Sequence, residues 1–182
     1  MHSSQTSGPP DMRLLSFASI TLLVTLAGCA TSYAPPTSGD TATVRLSVPQ
    51  AQVQAANRFT GYPSATCEDP VSLGVIGGVG RWSNEPSGTL PGANALPPMT
   101  SLERVLPAGV PYMVTAVSHA FGSYCAMTGL FQLAPGGQYE LEVTSEGGAC
   151  RGKMSRLSLG PDGKVVRTPH PVQQRERCLK GQ

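Results

Sequence analysis

The sequence predicts an all-β protein, an antiparallel sandwich of about seven strands preceded by a cleaved signal helix. Three observations carry that expectation. The 182 residues include 21 Gly and 17 Pro but only 13% charged residues, a mix rich in turn formers and poor in long-helix formers. Apolar residues recur at every second position in one segment after another, the period of a half-buried strand. No segment sustains a 3.6-residue apolar period.

Taken in order, Thr43–Val48 is apolar at every second residue, with Arg45 among the alternate positions. A short helix around Gln50–Asn57 follows Pro49. Val71–Val79 is a second strand, softened by Gly74, Gly77 and Gly78. Tyr112–Ser118, Tyr124–Leu133, Gln138–Ser145, Cys150–Leu159 and Lys164–Arg167 complete the set. Turns fall at Ala134-Pro135-Gly136-Gly137, at Gly147-Gly148 and at Gly160-Pro161-Asp162-Gly163, where Gly supplies positive φ and Pro or Asp favours reversal.

The Gly147-Gly148 turn predicts a register. If Glu146 pairs with Ala149, then Ser145 faces Cys150, Glu142 faces Lys153 and Leu141 faces Met154. One face is then core, with Tyr139, Leu141, Val143, Cys150 and Met154. The other is solvent, with Glu140, Glu142, Thr144, Arg151, Lys153 and Ser155. Opposite charges meet across such a pair, each contact contributing roughly 0.2–1 kcal/mol. In the preceding strand Cys125, Met127, Gly129, Phe131 and Leu133 share the inward parity.

The net charge of +2 argues against nucleic acid as a partner, but it is unevenly spread. Residues 150–182 carry a net +6 and residues 1–149 a net −4. Pairing of the basic end with the acidic middle of the same domain is the preferred account. Arg167, Arg175, Arg177 and Lys180 have no partner in the hairpin register.

The N-terminal region has the layout of an export signal. Met12-Arg13 is a short positive segment, and Leu14–Leu26 is an uncharged apolar run. Its thirteen residues fall short of the ~20 needed to span a bilayer but suit a signal peptide. Residues 1–11 carry no export signal, which places the expected start of translation at Met12. The run closes on Leu26-Ala27-Gly28-Cys29, which resembles the lipobox of bacterial lipoproteins. That resemblance implies cleavage before Cys29 and a lipid-modified Cys29 anchored in the bilayer by acyl chains. Several chains at about 0.8 kcal/mol per buried methylene make such an anchor effectively permanent. Ala30, where enteric-type lipoproteins retained in the inner membrane carry Asp, points to the outer membrane, facing the periplasm. The expected organisation is a signal peptide over 1–28, the lipidated Cys29 and a Pro/Ser/Thr-rich extended tether over 29–40, and the sandwich over 41–182.

With Cys29 taken by lipid, four cysteines remain: Cys67, Cys125, Cys150 and Cys178. Export implies an oxidising compartment, so an even set reads as two disulfides. Three pairings are open. Cys125–Cys150 is preferred because both face the core, leaving Cys67–Cys178. If the strands carrying Cys125 and Cys150 were separated by a third in one sheet, their Cα atoms would exceed the ~7 Å limit. The bridge must then form at a frayed end or between sheets.

Catalytic chemistry has little to build on. His119 and His170 lie on different segments without metal-ligand spacing, and no Cys-x-x-Cys or Gly-x-Ser-x-Gly occurs. Gly77-Gly78-Val79-Gly80 lacks the Lys-Ser/Thr of a phosphate loop and reads as a glycine-relieved strand end. Glu68-Asp69, beside Cys67 and Pro70, reads as a turn. The expectation is a protein that is not an enzyme and uses no metal or cofactor. The twenty residues Arg81–Thr100 have no strand pattern, and loops of that length are often functional. Arg81 and Trp82, residue types favoured at interaction hot spots, mark it as a candidate partner-binding loop, the alternative being that Trp82 closes one end of the sandwich.

Two further stretches, Leu106-Pro107-Ala108-Gly109-Val110-Pro111-Tyr112 and Phe131–Val143 (FQLAPGGQYELEV), resemble transthyretin-like or PEGA-type β-sandwich modules. The resemblance implies an immunoglobulin-like architecture, with a hairpin across the second stretch, and a structural or docking role in the cell envelope. The expected function is therefore a non-enzymatic envelope lipoprotein that docks another envelope protein. Alternatives are an immunity or inhibitor lipoprotein acting on a periplasmic toxin or hydrolase, a secretion-apparatus component, and a hydrolase with an unrecognised site.

Overall fold

The computed structural model describes residues 33–78, 88–93, 96, 100–120, 123–176 and 178. They form two five-stranded sheets packed face to face. The strands are β1 (Thr41–Ser47), β2 (Ala56–Tyr62), β3 (Val71–Ile76), β4 (Ser101–Pro107) and β5 (Pro111–Ala120). They continue with β6 (Ser123–Gln132), β7 (Gln138–Glu146), β8 (Ala149–Leu159), β9 (Val165–Pro169) and β10 (Gln173–Arg175). The first sheet runs β4-β1-β7-β8-β9 and the second β10-β6-β5-β2-β3. The expected all-β sandwich is present.

Three strands were not foreseen: β2, β4 and the short β10. The expected helix at Gln50–Asn57 shrinks to one 3-10 turn at Gln50–Gln52, and its last two residues already belong to β2. Burial decides this. Asn57 and Phe59 point inward, and the Asn57 amide donates to the Ala55 and Gln52 carbonyls, closing the end of the core. Gln52 holds the turn in place by pairing reciprocally with the backbone of Ser145, at 2.9 and 3.0 Å.

The β7–β8 hairpin has the expected register, with Glu146 opposite Ala149, Glu142 opposite Lys153 and Leu141 opposite Met154. Its inward face, Tyr139, Leu141, Val143, Cys150 and Met154, belongs to the main core with Val44, Leu46, Phe59, Leu73 and Phe131. The turn at 134–137 behaves differently. It carries the chain from β6 in one sheet to β7 in the other, so the expected hairpin across Phe131–Val143 is an arch. Strand β7 then lies beside β1 in parallel, the one departure from antiparallel pairing among the described strands. The Tyr139 hydroxyl accepts a hydrogen bond from the Ala134 amide at 2.9 Å, bracing the arch across its own turn.

The arch also places the disulfides. With β6 and β8 in different sheets, Cys125 and Cys150 bridge the sandwich interior at a Cα separation of 5.3 Å. Cys67 and Cys178 join at 5.4 Å, tying the chain end to the β2–β3 connection. The Cys178 carbonyl accepts from Tyr62 at 3.1 Å, and Tyr62, Met113, Leu130 and Cys178 form a second small cluster. The outward side of the second sheet is thus partly covered by the C-terminal segment.

The β3/β4 side is closed by side chains. Arg104 on β4 donates from Nε to the Leu73 carbonyl on β3 at 2.6 Å. Gly74, at φ +131°, sits next to the β2–β3 bulge, and a Cβ there would come within 3.0 Å of the Arg104 guanidinium. Tyr33 lies over this seam, its ring 4.8 Å from the Arg104 guanidinium and its hydroxyl bonded to the backbone of Val105.

Burial raises the Tyr33 phenol, partly offset by the Val105 bond and the Arg104 charge. Burial, with Tyr33 nearby, pushes Tyr112 up to about 12. Both shifts favour the protonated form in the folded state. Their stabilisation is present below the unfolded value near 10 and is lost as pH rises towards 12. Urea unfolding is therefore expected to show stability falling over pH 10–12, with a shallower fall in Tyr112→Phe. An unchanged slope in that variant would assign the effect to other groups.

Candidate functional site: a pinned loop on one sheet

The outward face of the first sheet was expected to be solvated. Strand alternation does place Arg45, Glu103 and Glu140 there, because Arg45 faces Glu103 on one neighbouring strand and Glu140 on the other. Yet Arg45 is 0% exposed, and Glu140 and Ser155 are buried. The reading of Glu140 and Ser155 as solvent residues is corrected: Glu140 lies against Arg45 and Arg167, and Ser155 is opposite Glu140 on β8. Segment 88–93 packs down on this face, with Leu90 buried and Gly92 close enough to β9 that a Cβ would meet Val165 at 3.0 Å.

Charge holds the segment. Arg45 donates from Nη2 to Glu103 Oε1 at 3.1 Å and to the Leu90 carbonyl at 2.9 Å, and from Nη1 to the Pro91 carbonyl at 3.2 Å. Glu103 in turn accepts the amides of Thr89, at 2.6 Å, and Leu90, at 3.1 Å. A carboxylate taking backbone amides while its partner guanidinium takes backbone carbonyls clamps both polarities of one short peptide. Charge-assisted bonds of this kind are worth about 1.5–3 kcal/mol each.

The row continues across the sheet. Glu140 lies 3.7 Å from Arg45 Nη1 and accepts from Arg167 Nε on β9 at 2.7 Å. Glu103, Arg45, Glu140 and Arg167 therefore alternate in sign over β4, β1, β7 and β9. Arg167, without a partner in the hairpin register, has one here, as expected from pairing between the basic end and the acidic middle. Arg45 Nε is the one buried side-chain nitrogen or oxygen without a hydrogen-bond partner among the described residues. Beside the row is a cavity of about 370 Å3 lined by Glu140, Glu142, Arg167, Thr100 and Leu96 among others.

The residues singled out from the sequence fall in five groups. Cys29, Arg81 and Trp82 lie outside the described residues. The four remaining cysteines are joined as Cys125–Cys150 and Cys67–Cys178. The histidines stay apart: His119 is exposed with its ring against Tyr124, and His170 Nε2 lies 2.9 Å from the Gln132 carbonyl. Glu68 takes a local bond from Thr66 and Asp69 has φ +49°, the geometry of a turn. Gly77 follows β3 at φ +74°, where a Cβ would lie 2.1 Å from the Val53 carbonyl oxygen, so glycine there relieves a strand end.

Arg45, Glu103 and Tyr33 were not anticipated. Alternation assigns Arg45 to the outside and is right about direction; nothing in the local pattern says that the outside is covered. No group of three or more potential metal ligands occurs among the described residues. No described helix is long and apolar enough to cross a membrane. No model of a known protein family matches the chain, and no curated protein matches it.

Proposed function

We propose that this protein is a lipoprotein of the bacterial cell envelope, anchored through Cys29 in the outer membrane and facing the periplasm. In this reading the sandwich is a non-enzymatic docking module, and its partner is another envelope protein. The observation that carries the docking role is the clamp on residues 88–93, in the middle of the expected 81–100 loop. A recognition loop works best when a rigid scaffold holds its base, because less ordering entropy is lost on binding. The Arg45–Glu103 clamp supplies such a base at residues 88–93, immediately after the segment that carries Arg81 and Trp82. The two disulfides stiffen the same scaffold and suit an oxidising compartment.

Co-purification of the tagged full chain from its native envelope tests the role. Trp82→Ala is expected to cut recovery of the bound protein at least about tenfold, the loss of one hot-spot contact of roughly 2 kcal/mol. Unchanged recovery at equal expression would remove the loop from the interface.

A further inference from the structure

We propose that the anchored chain lies with the β3/β4 side of its sandwich against the phospholipid bilayer, and that Tyr33 is the positioning residue that enforces this orientation. The inference rests on the reading of Cys29 as the lipidated residue.

Order in the domain begins before β1. The Tyr33 hydroxyl donates to the Val105 carbonyl and accepts from the Val105 amide at 2.9 Å. It satisfies both backbone groups of one residue on the open edge of β4, as a neighbouring strand would. Its ring packs against the main core and under the Arg104 guanidinium. The tether expected to run free to residue 40 is therefore fastened at Tyr33.

The covalent chain then sets a limit. The four residue steps from Cys29 to Tyr33 span at most about 14 Å, whereas twelve steps to the start of β1 would span about 40 Å. A compact domain of this size is about 35–40 Å across. The longer leash would permit any orientation. The shorter one brings the acyl chains to the bilayer only when the seam holding Tyr33 is on the near side.

Surface chemistry agrees with that placement. Residues 33–39 (YAPPTSG) are uncharged, as is exposed Ser72 on β3. Strand β9, with Arg167, lies four strand spacings from β4, about 19 Å away across the sheet. Strand β10, with Arg175, is likewise the opposite edge of its own sheet from β3. Strands β9 and β10 are thereby turned away from the membrane, while the tail beyond β10 returns to the β2–β3 connection at Cys178.

Photo-crosslinking tests this in the full chain, expressed with lipid processing and reconstituted in phosphatidylethanolamine/phosphatidylglycerol vesicles. A photoreactive amino acid is placed at Ser72 on β3 or at exposed Val166 on β9. Ser72 is expected to label lipid several-fold more than Val166, and Tyr33→Ala is expected to erase the difference. Tyr33→Phe, which keeps the ring and loses both backbone bonds, should narrow it, and serves should the alanine variant fold poorly. Equal labelling of the two sites would overturn the orientation, and a preference that survives both Tyr33 variants would overturn the positioning role of Tyr33. Mass analysis of the N-terminal peptide separates the two readings. An unmodified Cys29 would overturn the lipid anchor together with the inference built on it, whereas a lipidated Cys29 with equal labelling would overturn the orientation alone.

Discussion

Arg45→Ala is expected to destabilise the protein by about 3–5 kcal/mol, the range for removing one member of a buried ion pair. The cost has three sources. Glu103 and Glu140 lose the cation between them, although Glu140 keeps Arg167. The carbonyls of Leu90 and Pro91 lose their donors. The volume of a fully buried side chain is left empty. Urea unfolding measures the total, and a double-mutant cycle with Glu103→Gln isolates the contact. A coupling energy of about 1–3 kcal/mol is expected for residues that share partners in this way. Additivity within about 0.5 kcal/mol would show that the pair contributes nothing beyond its separate parts. The same variant should expose residues 88–93 to proteolysis, because the clamp holds that segment more than its own side chains do.

Removing the Cys67–Cys178 bridge by double substitution to Ser is expected to cost roughly 4–5 kcal/mol in the chain-entropy model. The bridge closes a separation of 111 residues, and the other disulfide closes only 25. The corresponding Cys125→Ser/Cys150→Ser variant is therefore expected to lose less, roughly 3–4 kcal/mol from loop closure alone. Release of the tail also uncovers Tyr62, Met113 and Leu130, which widens the gap between the two. Midpoints of urea unfolding for both variants decide the order. A larger loss on removing Cys125–Cys150 would mean that the tail contributes little to the second sheet.

Much of the sandwich could be read locally. In the β7–β8 hairpin, alternation and a Gly-Gly turn determine register together, because a one-residue slip would carry Leu141 and Met154 to the wrong face. Strands β2 and β4 are harder to read. The first is broken by polar Asn57, whose amide is satisfied only by carbonyls brought in from Ala55, Gln52 and Ile76. The second has a short alternating pattern carrying Glu103 and Arg104, both engaged by residues distant in sequence. The arch at 134–137 was legible as a turn, but its destination was not. A turn of this composition can join neighbours in one sheet or carry the chain across to the other, and the choice depends on where β1 and β5 already lie.

The candidate site divides along the same line. The expectations of export, of paired cysteines and of a long loop come from composition and spacing, since each depends on residue types and their separation. The preferred pairing followed from inward parity, and the structure adds its reason, two sheets facing across the core. Burial of Arg45 belongs to tertiary structure alone. A period of two says which face a side chain points to, and only the fold says whether that face meets water or another part of the chain. Segment 88–93 packs on one outer face and the C-terminal segment covers part of the other; Glu140 and Ser155, read as solvent, are interior, whereas Glu142, Arg151 and Lys153 are exposed as read. Tyr33 shows the same dependence at longer range. Its sequence neighbours are those of a flexible tether, and it is fixed by an unpaired strand edge 72 residues away.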